Sequence, residues 1–135
     1  MKIGKSLMFI VIIAFLFAGC KNVEDDIVGT WNFQTFDSQP QGSITWTFKD
    51  NGSLIRVGVQ EEGINLDSCN YVVDKSMFKT QITISNSVAI TGGADVNGLF
   101  RIDKFKDDIL IMTRIRLADD SAEGSYLRCE MMRKN

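Results

Sequence analysis

Histidine is absent from this chain of 135 residues. That removes Ser–His and Cys–His nucleophilic catalysis, His-ligated metal sites and the commonest general base. Proline occurs once and glycine eleven times, which fits neither a collagen-like chain nor a proline-rich linker. Neither sign of charge dominates: 15 basic residues face 17 acidic ones, for a net charge of −2. The basic footprint of a nucleic-acid binder is therefore missing, and no nucleic-acid partner is expected. Phosphate-cradling and dinucleotide-binding glycine motifs are missing too. What remains is 44% apolar and 24% charged. That is the composition of a folded chain, at the length of one domain.

The N-terminus reads as an address. Lys2 and Lys5 form a short positive region, and Leu7 to Ala18 is an uncharged apolar run of twelve residues. A membrane-spanning helix needs about 20 residues, so this run has the length of a signal core. It ends in Phe17-Ala18-Gly19-Cys20, small residues followed by a cysteine. The pattern resembles the lipobox of bacterial lipoproteins, with Phe17 where leucine is commonest. The resemblance implies cleavage before Cys20, lipidation of Cys20 by fatty acids such as palmitate, and a membrane partner held through that lipid. Lys21 follows in place of an aspartate, which in that family implies sorting to the outer membrane. Glu24-Asp25-Asp26 resembles the acidic export signal of Bacteroidetes lipoproteins, which implies display on the cell surface. The alternative is the periplasmic face, with the acidic residues a solvated spacer. The expected organisation is a signal peptide over 1–19, a tether over 20–27 and one folded domain over 28–135. Without Lys2 and Lys5, and with the new amine acylated, the mature chain carries a net charge of −4.

From Val28 onward the apolar period is two. Trp31 and Phe33 alternate with Asn32 and Gln34, and Ile44, Trp46 and Phe48 with serine and threonine. Similar alternation follows at Ile55-Val57-Val59, Cys69-Tyr71-Val73, Ile82-Ile84, Phe100-Ile102, Ile109-Ile111-Thr113-Ile115 and Leu127-Cys129-Met131. Each of these sets is expected to be the buried face of a strand. The pattern predicts eight strands over 29–37, 43–49, 53–60, 67–74, 79–86, 98–105, 109–117 and 124–133. Asn51-Gly52 predicts a type I′ hairpin turn, and Lys106-Asp107-Asp108 a tight one. Eight short strands with hairpin-length links favour an all-β fold, an antiparallel up-and-down barrel, because closure removes exposed edges.

The order of motifs resembles the small lipocalin-like domains of Bacteroidetes lipoproteins. Gly29-Thr30-Trp31 opens the first strand, Trp46-Thr47-Phe48 leads into Asn51-Gly52, and Tyr71-Val72-Val73, Phe100-Arg101-Ile102 and Asp108-Ile109-Leu110 follow. The resemblance spans about Val28 to Lys134. It implies a lipocalin-like barrel, here without the C-terminal helix of longer lipocalins. It also implies that an arginine of the last strand, for which Arg128 is the candidate, packs on Trp31 at a barrel end marked by Gly29.

Few residues suggest chemistry. Cys69 and Cys129 are an even pair once Cys20 is acylated, and an exported chain could join them. Closing a loop of about 60 residues would contribute about 4 kcal/mol. However, strands four and eight lie across the barrel, and a bridge needs Cα atoms within about 7 Å. Two buried free thiols are the alternative. Glu61, Glu62 and Asp67 and the group Asp119, Asp120 and Glu123 lack calcium-loop spacing and read as solvated carboxylates. Arg56, Arg101, Arg114, Arg116 and Arg128 read as a charged exterior, with Arg114 and Arg116 the pair best spaced for an anionic partner. No metal, cofactor or catalytic residue is expected.

Trp46, Phe48, Tyr71, Phe100 and Ile102 either line a cup for a small hydrophobic ligand or fill the barrel. The first case describes a membrane-anchored carrier. The second describes a module that binds or inhibits another envelope protein.

Overall fold

The computed structural model describes residues 22–34, 42–88 and 95–135. The expected signal segment over 1–19, together with Cys20, lies outside them. Eight strands form one closed antiparallel barrel: β1 Gly29–Phe33, β2 Ser43–Phe48, β3 Ser53–Gln60, β4 Gly63–Lys75, β5 Thr80–Ser85, β6 Gly98–Lys106, β7 Ile109–Arg116 and β8 Leu127–Arg133. Each strand pairs with the next, and β8 returns to β1 with Trp31 opposite Arg133. The turns at 49–52, 76–79 and 107–108 therefore share one end with the start of β1. The turn at 61–62 and the connections after β1, β5 and β7 share the other.

Six strands bury the face that their alternation marks. Trp31, Trp46, Phe48, Cys69, Tyr71, Ile82, Ile84, Phe100, Cys129 and Met131 belong to one packed interior. β3 and β7 reverse the expectation. Leu54 and Arg56 of β3 and Leu110, Met112 and Arg114 of β7 are buried, whereas Val59 is 42% exposed. In both strands an inward arginine breaks the apolar stripe, so the outward face is the more regular one. A β-bulge between Ile102 and Lys104 adds a residue to β6. Ile102 and Phe105, three apart, can then both pack against the core.

The turn after β2 differs from the expected type. Gly52 has φ 80° while Asn51 does not enter the left-handed region. The Gly52 amide donates to Lys49 O at 3.1 Å, and Asn51 Oδ1 accepts from Ser53 N at 3.0 Å. This is a type I turn closed by a left-handed glycine, the other common hairpin solution. Asp107 at φ 56° serves the tight turn between β6 and β7.

The tether is the largest correction to the sequence reading. Residues Val23–Ile27 form a single turn of helix, α1, and Ile27 is fully buried in the core. Ile27 O accepts from the Trp31 indole N–H at 2.9 Å. α1 thus caps the barrel, and the folded unit begins before residue 28. Ile27→Ala is expected to cost about 2–5 kcal/mol of stability, as for other buried large-to-small changes, in chemical denaturation. A loss below about 0.5 kcal/mol, the value for a solvated tether, would remove α1 from the fold.

Candidate functional site

Both ends of the barrel are built by residues whose chemistry differs from that of the interior between them. At the helix-capped end, Trp31 is enclosed by Ile27, by Phe105 with ring centroids 5.9 Å apart, and by Arg133, whose guanidinium carbon lies 4.4 Å from the indole centroid. Arg133 donates to Val28 O at 3.1 Å and also to Asp26 O. One cation thereby stacks on the tryptophan and ties down the chain leaving α1. Gly29 is needed for this arrangement. Its φ is 138°, and a Cβ there would meet Arg133 Nη1 at 2.7 Å. The arginine expected on Trp31 was Arg128, and the structure replaces it with Arg133. Arg128 has the outward parity of β8 and pairs with Glu130 at 2.6 Å. Arg133 shares the inward parity of Cys129 and Met131 and sits opposite Trp31 in register.

At the other end lies a buried charged pair. Arg56 and Asp67 are directly opposite across β3 and β4, with side chains each 1% exposed and an Nη2–Oδ2 distance of 2.7 Å. Arg56 also donates Nε–H to Asp67 at 2.8 Å and Nη2–H to Ser87 Oγ and Val88 O, both at 2.8 Å. Asp67 accepts from Ser87 Oγ at 2.9 Å and Val88 N at 3.1 Å. Ser87 is held in turn by two bonds to the Asn97 side chain, each 2.8 Å. Arg114 completes the closure, donating to Ser125 O, Asp95 O and Asn97 O at 2.9, 2.6 and 3.1 Å. Val96 reaches into the core beside them. No buried side-chain polar atom among the described residues lacks a partner.

The network's electrostatics follow from its geometry. Burial pushes the Asp67 carboxyl up, but the Val88 amide, Arg56 and Ser87 together outweigh burial and hold it below the usual carboxylate value. Arg56 and Asp67 are thus not the exterior cation and solvated tip carboxylate that the sequence suggested, and Arg114 is not paired with Arg116 on an anion. Arg116 is exposed and bridges to Asp120 at 2.9 Å. Glu61, Glu62, Asp119 and Glu123 are exposed, as read. One signal was available. A two-residue turn at Glu61-Glu62, with Gln60 opposite Gly63, places Arg56 opposite Asp67.

The aromatics proposed as ligand lining pack on one another. Trp46 lies 6.0 Å from Phe33 and 6.2 Å from Phe48, and Phe48 meets Tyr71 edge-on at 5.0 Å. Phe100 is fully buried and Ile102 packs against the same cluster. The Tyr71 hydroxyl donates to Lys49 O at 2.6 Å. Cys69 and Cys129 are both free and buried, so the disulfide is not formed. They lie on inward faces of β4 and β8, on opposite sides of the barrel. Burial pushes the Cys69 thiol up to about 11 and the Cys129 thiol up to about 12, which makes both unreactive.

The outer wall is divided. Outward positions of β6 to β8 carry an ion network in which Asp103 accepts from Arg101 at 2.7 Å and Thr113 at 2.5 Å, with Arg128 at 3.7 Å. Outward positions of β2, β3 and early β4 carry no charge: Ser43, Thr45 and Thr47, then Ile55, Val57 and Val59, then Ile64 and Leu66. Ile64 is 72% and Leu66 65% exposed. Sequence reasoning missed this surface because it assigned the β3 set to the core.

Comparison with models of known protein families, with curated proteins and with solved structures gave no match.

Asp67→Asn is expected to cost about 3–5 kcal/mol at neutral pH, because it strands a buried guanidinium. Replacing Arg56 and Asp67 together with apolar residues should restore much of the loss. Since the folded-state carboxyl is held below its ordinary value near 3.8, its contribution is complete above that value. It disappears as pH falls through the lower folded value. Chemical denaturation between pH 7 and pH 2 should therefore show a weaker acid dependence in Asp67→Asn than in the parent chain. Alkylation without reductant, mapped by mass spectrometry, should leave Cys69 and Cys129 unmodified in the folded chain and modify both in denaturant.

Proposed function

We propose that this chain is a non-catalytic binding module of the cell envelope, anchored by lipid at Cys20 in the outer membrane, that engages another protein through its outer wall. The reading of the anchor rests on the signal-like N-terminus and Cys20. The observation that carries the protein-binding reading is the enclosed interior. The Arg56–Asp67–Ser87 network and Arg114 occupy one barrel end, and α1, Trp31 and Arg133 the other. Aromatic side chains that would line a carrier's cup make contact with each other instead.

What the interior does not offer, the wall does. Val57, Val59, Ile64 and Leu66 are adjacent in register, with Thr45 opposite Val57 and Ser43 opposite Val59 on β2. Among the described residues, the only charges beside them are Glu61 and Glu62 at the hairpin tip. Protein interfaces deplete charge at their centres in this way, and apolar residues grouped on a surface mark such sites. Ser43 and Thr45 offer hydroxyls at the rim.

The test is site-specific photo-crosslinking from position 66 in the intact cell envelope, with position 85 on the outer face of β5 as control. A discrete adduct with a second protein is expected from position 66 alone. Ile64→Lys should reduce it by about tenfold or more while changing stability by no more than about 0.5 kcal/mol, since the residue is exposed. Native mass spectrometry of the purified chain provides the opposing readout. A stoichiometric extra mass removed by organic extraction, with no adduct from position 66, would replace this reading with small-ligand carriage.

A further inference from the structure

The turn between β4 and β5 carries the two most exposed large apolar side chains among the described residues. Met77 and Phe78 are each 89% exposed and stand side by side at the hairpin tip, between Lys75 and Lys79. The tip is pinned: Ser76 N donates to Lys79 O at 2.8 Å, and Lys75 pairs with Thr80. The hairpin therefore holds both side chains outward, and neither belongs to the core.

The position of this tip is the second observation. β4 runs from the charged-pair end toward the α1 end, so residues 76–79 lie at the end capped by α1. A groove of about 260 Å³ runs between Glu24 and Asp25 of α1 and Tyr71, Val72 and Val73 of the same β4 segment. Cys20 stands two residues before Asn22, a reach of at most about 7 Å. If Cys20 carries lipid, the α1 end of the barrel is held at the membrane surface, and the Met77–Phe78 tip shares that end.

We propose that Met77 and Phe78 insert into the lipid bilayer as a second membrane contact, with Lys75 and Lys79 at the headgroup phosphates. This rests on the lipid-anchor reading above. Among the described residues, other charged groups at this end are Lys49, Lys106, Arg133 and Lys134 and, with opposite sign, Glu24, Asp25, Asp26, Asp50, Asp74, Asp107 and Asp108. With acidic groups in the majority, apolar insertion and not charge supplies the attraction, so the contact depends weakly on salt. Two contacts on one end hold the barrel upright. The β2–β4 wall then stands clear of the membrane, and the Arg56–Asp67 end points away.

The test uses the full chain, isolated with its native modification and reconstituted in phosphatidylcholine–phosphatidylglycerol vesicles. Phe78→Trp places an indole at the tip, while Trp31 and Trp46 stay enclosed in the barrel. Brominated acyl chains should quench its fluorescence at least about twofold more than that of Glu62→Trp at the opposite end. Adding Met77→Asp should reduce that quenching, and 0.5 M salt should not. Equal quenching at the two positions overturns the proposal. So does an indole shielded from aqueous iodide yet untouched by bromolipid, which would mean that a protein covers the tip. Intact mass decides the anchor separately. An acylated Cys20 without tip quenching rejects the insertion alone. An unmodified Cys20 rejects the anchor reading, and the same quenching assay with the unlipidated chain still decides the tip.

Discussion

Removing the Arg56 guanidinium and the Asp67 carboxylate from water costs several kcal/mol per ion, and the barrel offsets that cost by folding its own chain across one mouth. Their direct contact satisfies part of the guanidinium and one carboxylate oxygen. Ser87, Val88 and, one step further out, Asn97 add further bonds. Arg114 extends the same logic to the connections on either side by collecting three carbonyl oxygens. The charged pair thereby fixes segments that an apolar interior would leave without a reason to cross the opening. Its Trp46 neighbour, with the Arg56 guanidinium carbon 5.6 Å from the ring centroid, joins the polar end to the aromatic interior.

The opposite end solves the same problem with different means. Among the described residues, the ion pair at this end, Arg133 with Asp108, is part-exposed. This cation from β8 stacks on Trp31, while backbone carbonyls at Asp26 and Val28 receive its hydrogen bonds. Arg133 is part-exposed there, so it loses less hydration than Arg56 does, and the arrangement adds to stability more readily than a buried pair does. The consequence is local: α1 is a cap because Ile27 fills the space above Trp31 and Arg133 holds the chain that leaves it. Gly29 has no side chain because that cation occupies the volume.

Much of this fold is legible in the sequence. Period-two alternation located all eight strands and most of their boundaries, because in six of them the alternating apolar set is the buried one, and their number and hairpin-length links pointed to the closed antiparallel order. Legibility failed where tertiary contacts outweighed local pattern. A five-residue helix with three acidic residues shows no amphipathic period, so only its contact with Trp31 reveals Ile27 as core. Arg133 was overlooked for Arg128 although the Leu127-Cys129-Met131 alternation already puts residue 133 on the inward face and residue 128 on the outward one; only its position opposite Trp31 depends on the β1–β8 register. The two cysteines presented a parity argument whose geometric objection proved the stronger one. The aromatic set was legible as inward-facing, and the polar network was not, since single charges in a strand look like exterior positions.

The inverted strands connect the interior to the outer surface. A strand's side chains alternate between its two faces, so placing Arg56 inside also sends Ile55, Val57 and Val59 outward. The same register that brings Asp67 to Arg56 sends Ile64 and Leu66 outward beside them. An apolar Leu or Val at positions 56 and 67 would fill the barrel without needing the loops. The outward apolar set is not forced by that choice, since threonine or lysine would serve on a wet wall, as charged residues do on β6 to β8. Two departures from the ordinary inside-out pattern therefore coincide on one hairpin: charge where the core is, and apolar groups where water is. The first closes the mouth through which a ligand would enter. The second leaves a neutral surface that water alone does not explain. Both support the proposal that this barrel binds by its wall rather than its interior.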